Sequence, residues 1–281
     1  MTTNRLGPYG RTIGRIALYA ALAAAALAVL YPLAYTALAS FMTPDESAQY
    51  PPKMFPSHLY FGSFREVLEL VPLQTFLMNS FIISIAIMVG QGVTAAMAAY
   101  AFVYVPFRGR AFWFAVFVST MMIPWEVTVI PNYLTVKSWG WLDTYQGMIV
   151  PFVASGFGVF LLRQFFLQLP RELFEAARID GCGHVRHWAL IVLPLSRPAL
   201  ASLGVYAFLN AWNMYLWPLL VTNSDAKRTV QIGISMLQFQ EVTVWNLVLA
   251  GVMLVLLPSL LLLALGLKQL VRGLTAGAVK G

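Results

Sequence analysis

The chain has 281 residues, of which 59% are hydrophobic and only 10% are charged, and its mean hydropathy is +0.73. A soluble domain carries about 25% charged residues, so this composition excludes a soluble fold. The net charge of +7 is interleaved with apolar segments rather than gathered in one patch, which argues against a nucleic-acid partner. The single cysteine, Cys182, leaves no intrachain disulfide, and we expect neither a metal site nor redox chemistry.

Six apolar segments are long enough to cross a bilayer, which takes roughly 20 helical residues. They predict an all-α membrane protein with six transmembrane helices in a single domain, residues 1–281. The first segment follows two arginines and ends near "ALAS", as a secretory signal would, but it is far longer than the apolar core of a signal peptide. We therefore expect an uncleaved helix. The predicted spans are residues 16–41, 75–103, 111–130, 146–167, 199–221 and 245–267.

The basic residues indicate the orientation of the chain. With the N-terminus inside, the inner segments hold 13 of the 18 Lys and Arg residues. The positive-inside rule then predicts that both termini are cytoplasmic. On the outer side, residues 42–74 form a proline-rich loop, in which "YFGSFREVLEL" at 60–70 is either a short amphipathic helix on the membrane surface or a plain connector.

Glu126 is the only acidic residue inside a predicted span. Counted along a continuous helix, it lies about 22 Å from the start of the third span, near the outer end. Charges at membrane depth usually face a cavity or a partner, which makes Glu126 a candidate for the substrate path. The alternative is an interfacial side chain that reaches water.

Residues 168–198, between the fourth and fifth spans, form a polar loop whose composition predicts two short helices joined by a turn. Gly181 or Gly183 can take the left-handed conformation that ends the first helix. Pro194 is expected to break the chain before the next span. On physical grounds alone, the first helix either lies under the membrane or docks a cytoplasmic partner.

His184 and His187 of the polar loop are three residues apart, a spacing that could bind a metal ion. No third ligand lies nearby in the sequence, so we interpret both as surface positions that contact a partner.

Asn210, Asn213 and Trp217 fall at positions i, i+3 and i+7 of the fifth span, which would place them on one helical face. Amides beside an aromatic ring suit a sugar or glycerol, so these three residues are candidates for the substrate path. The alternative is that they pack helices together or lie at the interface. Weaker candidates, which we expect to be packing groups, are Asn79, Gln91 and Ser155.

The polar loop resembles the "EAA" loop of ATP-binding-cassette importer permeases, whose pattern is EAA, three residues, G, nine residues, I, one residue, LP. Every spacing of that pattern is met here. The residues that carry the resemblance, with an aspartate beside the glycine, are Glu175, Ala176, Ala177, Asp180, Gly181, Ile191, Leu193 and Pro194.

Together with the six spans, "NAWNMYLWPLLV" at 210–221 and the tail at 272–281, the loop makes the chain similar to the second permease subunit of the carbohydrate branch, the maltose and glycerol-3-phosphate type. That resemblance implies an importer of the bacterial inner membrane that works by alternating access on a sugar, glycerol-3-phosphate or a glycerophosphodiester. The loop would then be the coupling loop, with its coupling helix in a cleft of an ATPase subunit, and residues 277–281 would reach the ATPase interface.

The implied partners are a second homologous permease subunit, two ATP-binding-cassette ATPase subunits, an extracytoplasmic solute-binding protein and the lipid bilayer. ATP and magnesium would be bound by the ATPase subunits. In agreement with this, the chain has no Walker-type phosphate loop, and we expect it to be a transport subunit without catalysis or a cofactor of its own.

Two other classes of protein compete with this interpretation. A self-sufficient secondary transporter or channel would be expected to carry coupling-ion groups near the membrane midplane, whereas Glu126 is off-centre. An intramembrane enzyme would need a metal motif, or a nucleophile and a base, inside the spans, and no His or Cys occurs there.

Overall fold

The computed structural model of the chain describes residues 8–238 and 244–275. Within these ranges the elements are helices and turns, with no strand, which confirms the all-α fold class. In chain order the helices are α1 (Pro8–Ala39), α2 (Pro44–Ser47), α3 (Gly62–Leu70), α4 (Leu73–Tyr104), α5 (Arg110–Ser119), α6 (Trp125–Ser138), α7 (Tyr145–Ile149), α8 (Gly156–Phe166), α9 (Arg171–Ile179), α10 (His184–His187), α11 (Leu193–Leu195), α12 (Arg197–Trp212), α13 (Leu216–Val221), α14 (Val230–Gln238) and α15 (Trp245–Thr275).

Three of these helices are long and apolar enough to cross a membrane, over Gly14–Ala39, Leu73–Tyr104 and Trp245–Leu267. Three further candidate spans each consist of two helical stretches that meet at a bend of 98°, 45° or 79°. Counting each bent pair as one span gives six in the part of the chain that the structure describes. The number of candidate spans therefore agrees with the sequence prediction. The bends of 98° and 45° interrupt the third and fourth predicted spans, whereas the bend of 79° separates the polar loop from α12.

The third predicted span, residues 111–130, is interrupted in its second half. Helix α5 ends in a 3-10 turn over Thr120–Met122, and α6 starts at Trp125 after a bend of 98°. Pro124 is the cause, because it cannot donate to a helical bond and it pushes Ile123 into an extended conformation. The depth derived for Glu126 from one continuous helix is therefore wrong, since Glu126 lies in the first turn of a second helix.

The fourth predicted span, residues 146–167, is interrupted as well. A 3-10 turn over Val150–Phe152 follows α7, and α8 begins after it at an angle of 45°. Pro151 lies in that turn. Ser155 then caps α8, since its hydroxyl accepts a hydrogen bond from the amide of Gly158 at 3.2 Å.

The fifth predicted span, residues 199–221, ends earlier than expected. Helix α12 stops at Trp212, Asn213 is its C-terminal cap, and α13 starts at Leu216. Pro218 explains the break, because a helix running through it would need a backbone donor there that proline lacks. Trp217 lies beyond this break and does not share one helical face with Asn210 and Asn213, so that part of the prediction is wrong.

The described chain forms two compact units. One comprises the chain up to Leu70 together with Leu237–Leu254. The other comprises Val71–Met236 and the chain from Val255 onward.

In the first unit, polar groups organise the loop that follows α1. Thr43 and Glu46 form a reciprocal capping box around α2, and Lys53 makes an ion pair with Glu46 at 2.9 Å. Hydrogen bonds from Ser57 and Lys53 lower the pKa of the Glu46 carboxyl to about 2. Residues 60–70 contain the predicted short helix, α3, which buries Val67 and leaves its charged residues outward.

The same unit contains a buried amide. Asn246 is fully buried at the start of α15 and donates to the hydroxyl of Ser63 at 2.9 Å. Its side-chain oxygen accepts a hydrogen bond from Ser47 at 3.3 Å. The network therefore joins α2, α3 and the first turn of α15 within this unit.

In the second unit, α4 is the central helix, and α8 and α12 pack along it. Three alanines of α4, Ala95, Ala96 and Ala99, are buried at this junction with Leu162 and Leu203. Small residues allow the helix backbones to approach closely, as they do in membrane bundles. This core holds α4 against the helices on both sides of the polar loop.

Side chains of α4 donate to backbone carbonyls of neighbouring segments. Gln91 and Thr94 of α4 donate to the carbonyls of Phe152 and Val153 at 2.9 Å and 2.6 Å. Asn79 of α4 donates to the carbonyls of Ala226 and Arg228 at 3.0 Å and 2.9 Å. Asn79 and Gln91 thus bond α4 to neighbouring backbone segments, which agrees with a structural role for both side chains.

Gly147 of α7 tests the packing at one of these breaks. A Cβ at this position would meet the carbonyl oxygen of Trp141 and the side chain of Val136. Since a backbone oxygen cannot move cheaply, we expect Gly147→Ala to lower the free energy of unfolding by about 1–3 kcal/mol. The measurement is the midpoint of thermal unfolding of the purified chain in detergent, followed by tryptophan fluorescence.

Gly92→Ala is the matched control, because a Cβ at Gly92 of α4 meets no atom within 4 Å. Its midpoint should equal that of the wild type. Equal midpoints for both variants would contradict the packing described at Gly147.

Candidate functional site

A cavity of about 270 Å³ lies in the second unit where α4, α6 and α12 meet the turn before α8. Its wall is part aromatic and part amide or hydroxyl, and we call it the Asn210 cavity. No Lys, Arg, His, Asp or Glu lines it among the described residues. The lining residues are Ile87, Gln91, Trp125, Phe152, Ser155, Tyr206, Ala207, Asn210, Ala211 and Met214.

The two amides of this cavity each use their NH2 group on a backbone carbonyl. Gln91 donates to Phe152 as described, and Asn210 donates to the carbonyl of Tyr206 at 2.8 Å. The side-chain oxygen of Gln91 is buried without a partner among the described residues. The amide oxygens can accept hydrogen bonds from hydroxyl groups of a solute, and each NH2 group keeps a second hydrogen that can donate.

The sequence-predicted path residues are only partly brought together. Asn210 lines the Asn210 cavity, whereas Asn213 is exposed, is absent from the lining and donates to the carbonyl of Leu209 at 2.8 Å. Glu126 is exposed at the start of α6, next to the cavity residue Trp125. At that position its charge is favoured by the helix dipole.

Trp217 lies in the core behind the cavity wall rather than in the wall. It is 0% exposed, and its indole nitrogen donates to the carbonyl of Gly147 at 3.1 Å. Its ring packs against those of Trp125 and Phe152, with centroids 5.6 Å and 5.8 Å away. Trp217 therefore supports the aromatic side of the cavity and stabilises the break at α7.

Trp125, Phe152 and Tyr206 are cavity residues that the sequence reasoning did not select. Tyr206 could have been predicted from the sequence, because it lies one turn before Asn210 on α12. Trp125 and Phe152 could not have been predicted in this way, because they reach the cavity only as a result of the bends in the third and fourth spans.

The polar loop consists of two helical stretches joined at a glycine. Helix α9 ends at Ile179, and Gly181 has φ +71°, whereas Gly183 has φ −70°. The amide of Cys182 donates to the carbonyl of Ala177 at 2.9 Å, which closes the end of the helix. Of the two predicted glycines, Gly181 is therefore the one in the left-handed conformation.

Pro194 does not break the chain as the sequence predicted. The second stretch continues from His184 to Leu195, and the bend of 79° follows it, before α12. A π-helical turn over Trp188–Val192 precedes the proline, and the amide of Leu193 bonds to the carbonyl of Trp188. This shift of the hydrogen-bond register accommodates a proline without a kink at its own position.

The residues of the EAA pattern divide between a buried and an exposed side. Ala177 is buried, and Ile191 and Leu193 are half-buried against the α4 core. Glu175, Ala176, Asp180, Gly181 and Pro194 are exposed.

The hydroxyl of Tyr100, on α4, connects this helix to the polar loop. It lies 2.8 Å from Nδ1 of His187 and 3.1 Å from Nδ1 of His184. A single O–H can donate to only one of the two rings, so the other ring donates to the tyrosine oxygen. Burial, and next the neighbouring His184, lower the pKa of His187, which keeps its ring neutral near pH 7.

Tyr104, one turn further along α4, adds a second connection. Its ring packs on Phe174 of α9 at 4.5 Å, and its hydroxyl donates to the carbonyl of Phe166 at 2.9 Å. The two tyrosines thus hold both halves of the polar loop against the end of α4. No group of three His, Cys, Asp or Glu side chains that could hold a metal occurs in the described part of the chain.

Comparison with known proteins identifies the family. The family model described as "Binding-protein-dependent transport system inner membrane component" matches residues 91–272. The chain is 37% identical to the sn-glycerol-3-phosphate transport system permease protein UgpE of Agrobacterium fabrum, over 94% of this chain and 97% of that protein. It is 39% identical to the UgpE protein of Brucella melitensis, over 88% of this chain and 90% of that protein.

The fold is similar to solved structures as well. A bacterial ABC transporter involved in the import of the acidic polysaccharide alginate matches with a TM-score of 0.82 and 22% identity, over 95% of this chain and 99% of that one. A bacterial alginate ABC transporter in complex with an alginate pentasaccharide-bound periplasmic protein matches with a TM-score of 0.65 and 14% identity, over 95% of this chain and 97% of that one. The resemblance seen in the polar loop is confirmed, and the chain belongs to the binding-protein-dependent transport system inner membrane components, the permease subunits of ABC importers.

Proposed function

We propose that this chain and a second homologous permease enclose the path of an importer for glycerol-3-phosphate, a related glycerophosphodiester or a sugar. An extracytoplasmic solute-binding protein delivers the solute, and two ABC ATPase subunits, which bind ATP and magnesium, drive alternating access. The names of the relatives support glycerol-3-phosphate as the first solute to test. The observation that carries the proposal is the EAA-patterned polar loop joined to α4 through Tyr100.

The polar loop is the element that couples the permease to the ATPase. Its tip exposes apolar side chains that a solvated loop would not need, with Ile179 86% and Val185 79% exposed. Glu175 and Asp180 lie on the same exposed loop and can pair with basic groups of a partner. Apolar anchors inside a polar rim are typical of a protein–protein interface.

Helix α4 provides a physical route from this loop to the path. Tyr100 contacts the loop and Gln91 lines the Asn210 cavity, nine residues earlier on the same helix. At 1.5 Å per residue the two side chains start about 14 Å apart. A displacement of the loop that moves α4 would therefore change the wall of the cavity.

The Asn210 cavity is this chain's part of the path, with Asn210 and Gln91 as candidate contacts to the solute. Amide oxygens and flat aromatic rings recognise the hydroxyl and C–H surfaces of glycerol or a sugar. Glu126, next to Trp125, stays a candidate only for a hydroxyl contact, because a carboxylate would repel a phosphate.

We place both termini and the polar loop in the cytoplasm, on the strength of the positive-inside rule. The permease then lies in the inner membrane with its coupling surface toward the ATPase. The predicted ATPase contact of residues 277–281 lies outside the described residues.

Reconstitution of the importer tests the proposal as a whole. The two permeases, the ATPase and the binding protein are assembled in proteoliposomes, and uptake of labelled glycerol-3-phosphate, a glycerophosphodiester and a sugar is measured with and without ATP. We expect uptake of at least one solute that requires both ATP and the binding protein. Uptake driven by an ion gradient without the ATPase would instead establish a secondary transporter.

Gly181 provides a sharp test of the coupling role. Gly181→Ala places a Cβ on a left-handed backbone, which costs about 1–2 kcal/mol and distorts the turn between the two stretches. We expect ATP-driven uptake to fall several-fold while membrane insertion is unchanged. The measurements are uptake by proteoliposomes and retention of the ATPase on the affinity-purified permease.

Gly183→Ala is the control, because Gly183 has a negative φ that alanine adopts without strain. A new Cβ would meet no atom within 4 Å at Gly181 or at Gly183, so the two variants differ in backbone conformation and not in steric contact. It should retain wild-type uptake. A similar loss in both variants would count against the conformational argument.

Tyr100→Phe removes only the hydroxyl that the two histidines share. We expect ATP hydrolysis to continue while the amount of solute transported per ATP falls, because the loop would move with less effect on α4. The two rates are measured on the same proteoliposomes. The double variant His187→Asn with Tyr100→Phe should transport little less solute per ATP than either single variant, since both changes break the same contact. If the losses of the two single variants add fully, the contact does not couple the polar loop to α4.

Asn210→Ala should reduce the stimulation of ATPase activity by loaded binding protein more than it reduces the basal activity. The reason is that the amide oxygen would act on the solute and not on the ATPase. Asn213→Ala is the matched control, since Asn213 makes the same bond to the carbonyl four residues earlier but does not line the cavity. If the two variants change the stimulation of ATPase activity equally, Asn210 does not contact the solute.

A further inference from the structure

A second cavity, of about 440 Å³, lies between the end of α4, the start of α5 and the polar loop. We call it the Arg178 cavity. Its wall carries two guanidinium groups, two imidazoles and two phenol groups, and among the described residues no acidic side chain lines it. These residues are Tyr100, Tyr104, Arg110, Arg178, His184 and His187.

The positive charge at this cavity is not balanced within the described chain. Neither Arg110 nor Arg178 has a carboxylate within 4 Å among the described residues, although Glu175 lines an adjoining cavity with both. Within the described part of the chain, the side chain of Arg110 donates to the carbonyl of Val103, at 3.3 Å. Arg110 and Arg178 are both exposed, and two like charges around one cavity raise the local concentration of anions.

The imidazole of His187 could add a neutral hydrogen-bond donor to the two guanidinium groups. The buried ring of His187 has an Nε2 atom without a partner among the described residues, while its Nδ1 atom contacts Tyr100. If the tyrosine hydroxyl donates to this ring, Nε2 carries the hydrogen and is available as a donor after a small local opening. The cavity thus offers two planar guanidinium groups with hydroxyl and imidazole groups around them.

We propose that the Arg178 cavity binds a phosphate group at the junction of α4 and the polar loop. Two guanidinium groups match the geometry of phosphate oxygens through paired hydrogen bonds, and the same charges repel a metal ion. The phosphate can come from a free phosphate compound or from the headgroup of an anionic lipid.

Such a ligand would join α5 to the polar loop, which contacts the end of α4 through Tyr100 and Tyr104. Arg110 belongs to α5, and Arg178 belongs to α9 of the polar loop. A phosphate between them would tie the loop to the corner between α4 and α5. Binding depends on these residues alone and does not rest on the proposed solute.

The test uses the purified, assembled importer in detergent and inorganic phosphate as the probe, with affinity measured by titration calorimetry. Arg178→Gln should weaken phosphate binding by about tenfold to a hundredfold, since a charge-assisted hydrogen-bond pair is lost. Arg186→Gln is the control, because Arg186 carries the same charge on the same loop but does not line the cavity. Arg110→Gln should weaken binding as Arg178→Gln does.

A second arm distinguishes the two sources of phosphate. The same proteins are placed in nanodiscs of phosphatidylcholine with or without phosphatidylglycerol, and bound lipid is measured by native mass spectrometry. Phosphatidylglycerol that is retained by the wild type, lost in Arg178→Gln and competitive with inorganic phosphate identifies a lipid headgroup. Phosphate binding that is insensitive to phosphatidylglycerol identifies a free phosphate compound.

The proposal is overturned if wild-type importer binds neither probe, or if Arg178→Gln and Arg186→Gln weaken binding equally. The second result would indicate a general attraction of anions to a basic surface. Thermal unfolding of each variant checks that the fold is retained, and failure of solute uptake in reconstitution would leave these binding results unaffected.

Discussion

The structure depends on one constraint, which is that a backbone carbonyl freed by a helix break inside a membrane must find a donor within the protein. Three of the six candidate spans are bent pairs, and at the break between α7 and α8 side chains supply the donors. Gln91 and Thr94 donate at the turn before α8, and Trp217 donates to Gly147 in α7. Gln91 and Trp217 are also residues that the sequence offers as path candidates, so the constraint affects how much of each remains free for a solute.

The same constraint explains why α4 is central. It is continuous over Leu73–Tyr104, and its side chains bond to broken segments near its start, middle and end, through Asn79, Gln91 and Tyr104. A continuous helix that is bonded to three neighbouring segments is expected to move with them, since moving apart would break these hydrogen bonds. The Asn210 cavity and the polar loop therefore share one mechanical element even though their residues lie far apart in sequence.

The fold class and the number of spans follow from the sequence, because the length and the mean hydropathy of each apolar segment are averaged over about 20 residues. A single residue changes such an average very little. The breaks do not follow from such averages. Pro124 and Pro218 are visible in the sequence, but transmembrane helices often tolerate proline, and the consequence depends on whether neighbours can satisfy the freed carbonyls. Pro194 illustrates the opposite case, since a π-helical turn absorbs it. Asn210 was found from its residue type and period, whereas Trp217 was misplaced because its period was counted across a break at Asn213.

The two ends of α4 are held in different ways. At Asn79 the amide bonds two carbonyls and accepts a hydrogen bond from Tyr145, so several directional bonds fix its position. At Tyr100 one hydroxyl is shared by His184 and His187, so it donates to one ring and accepts from the other. This single shared hydroxyl fixes the end of α4 with fewer bonds than the amide of Asn79 does. The bonded end would therefore act as the fixed point, and motion that enters at the loop would be largest at Tyr100 and smaller at Gln91, where the cavity begins.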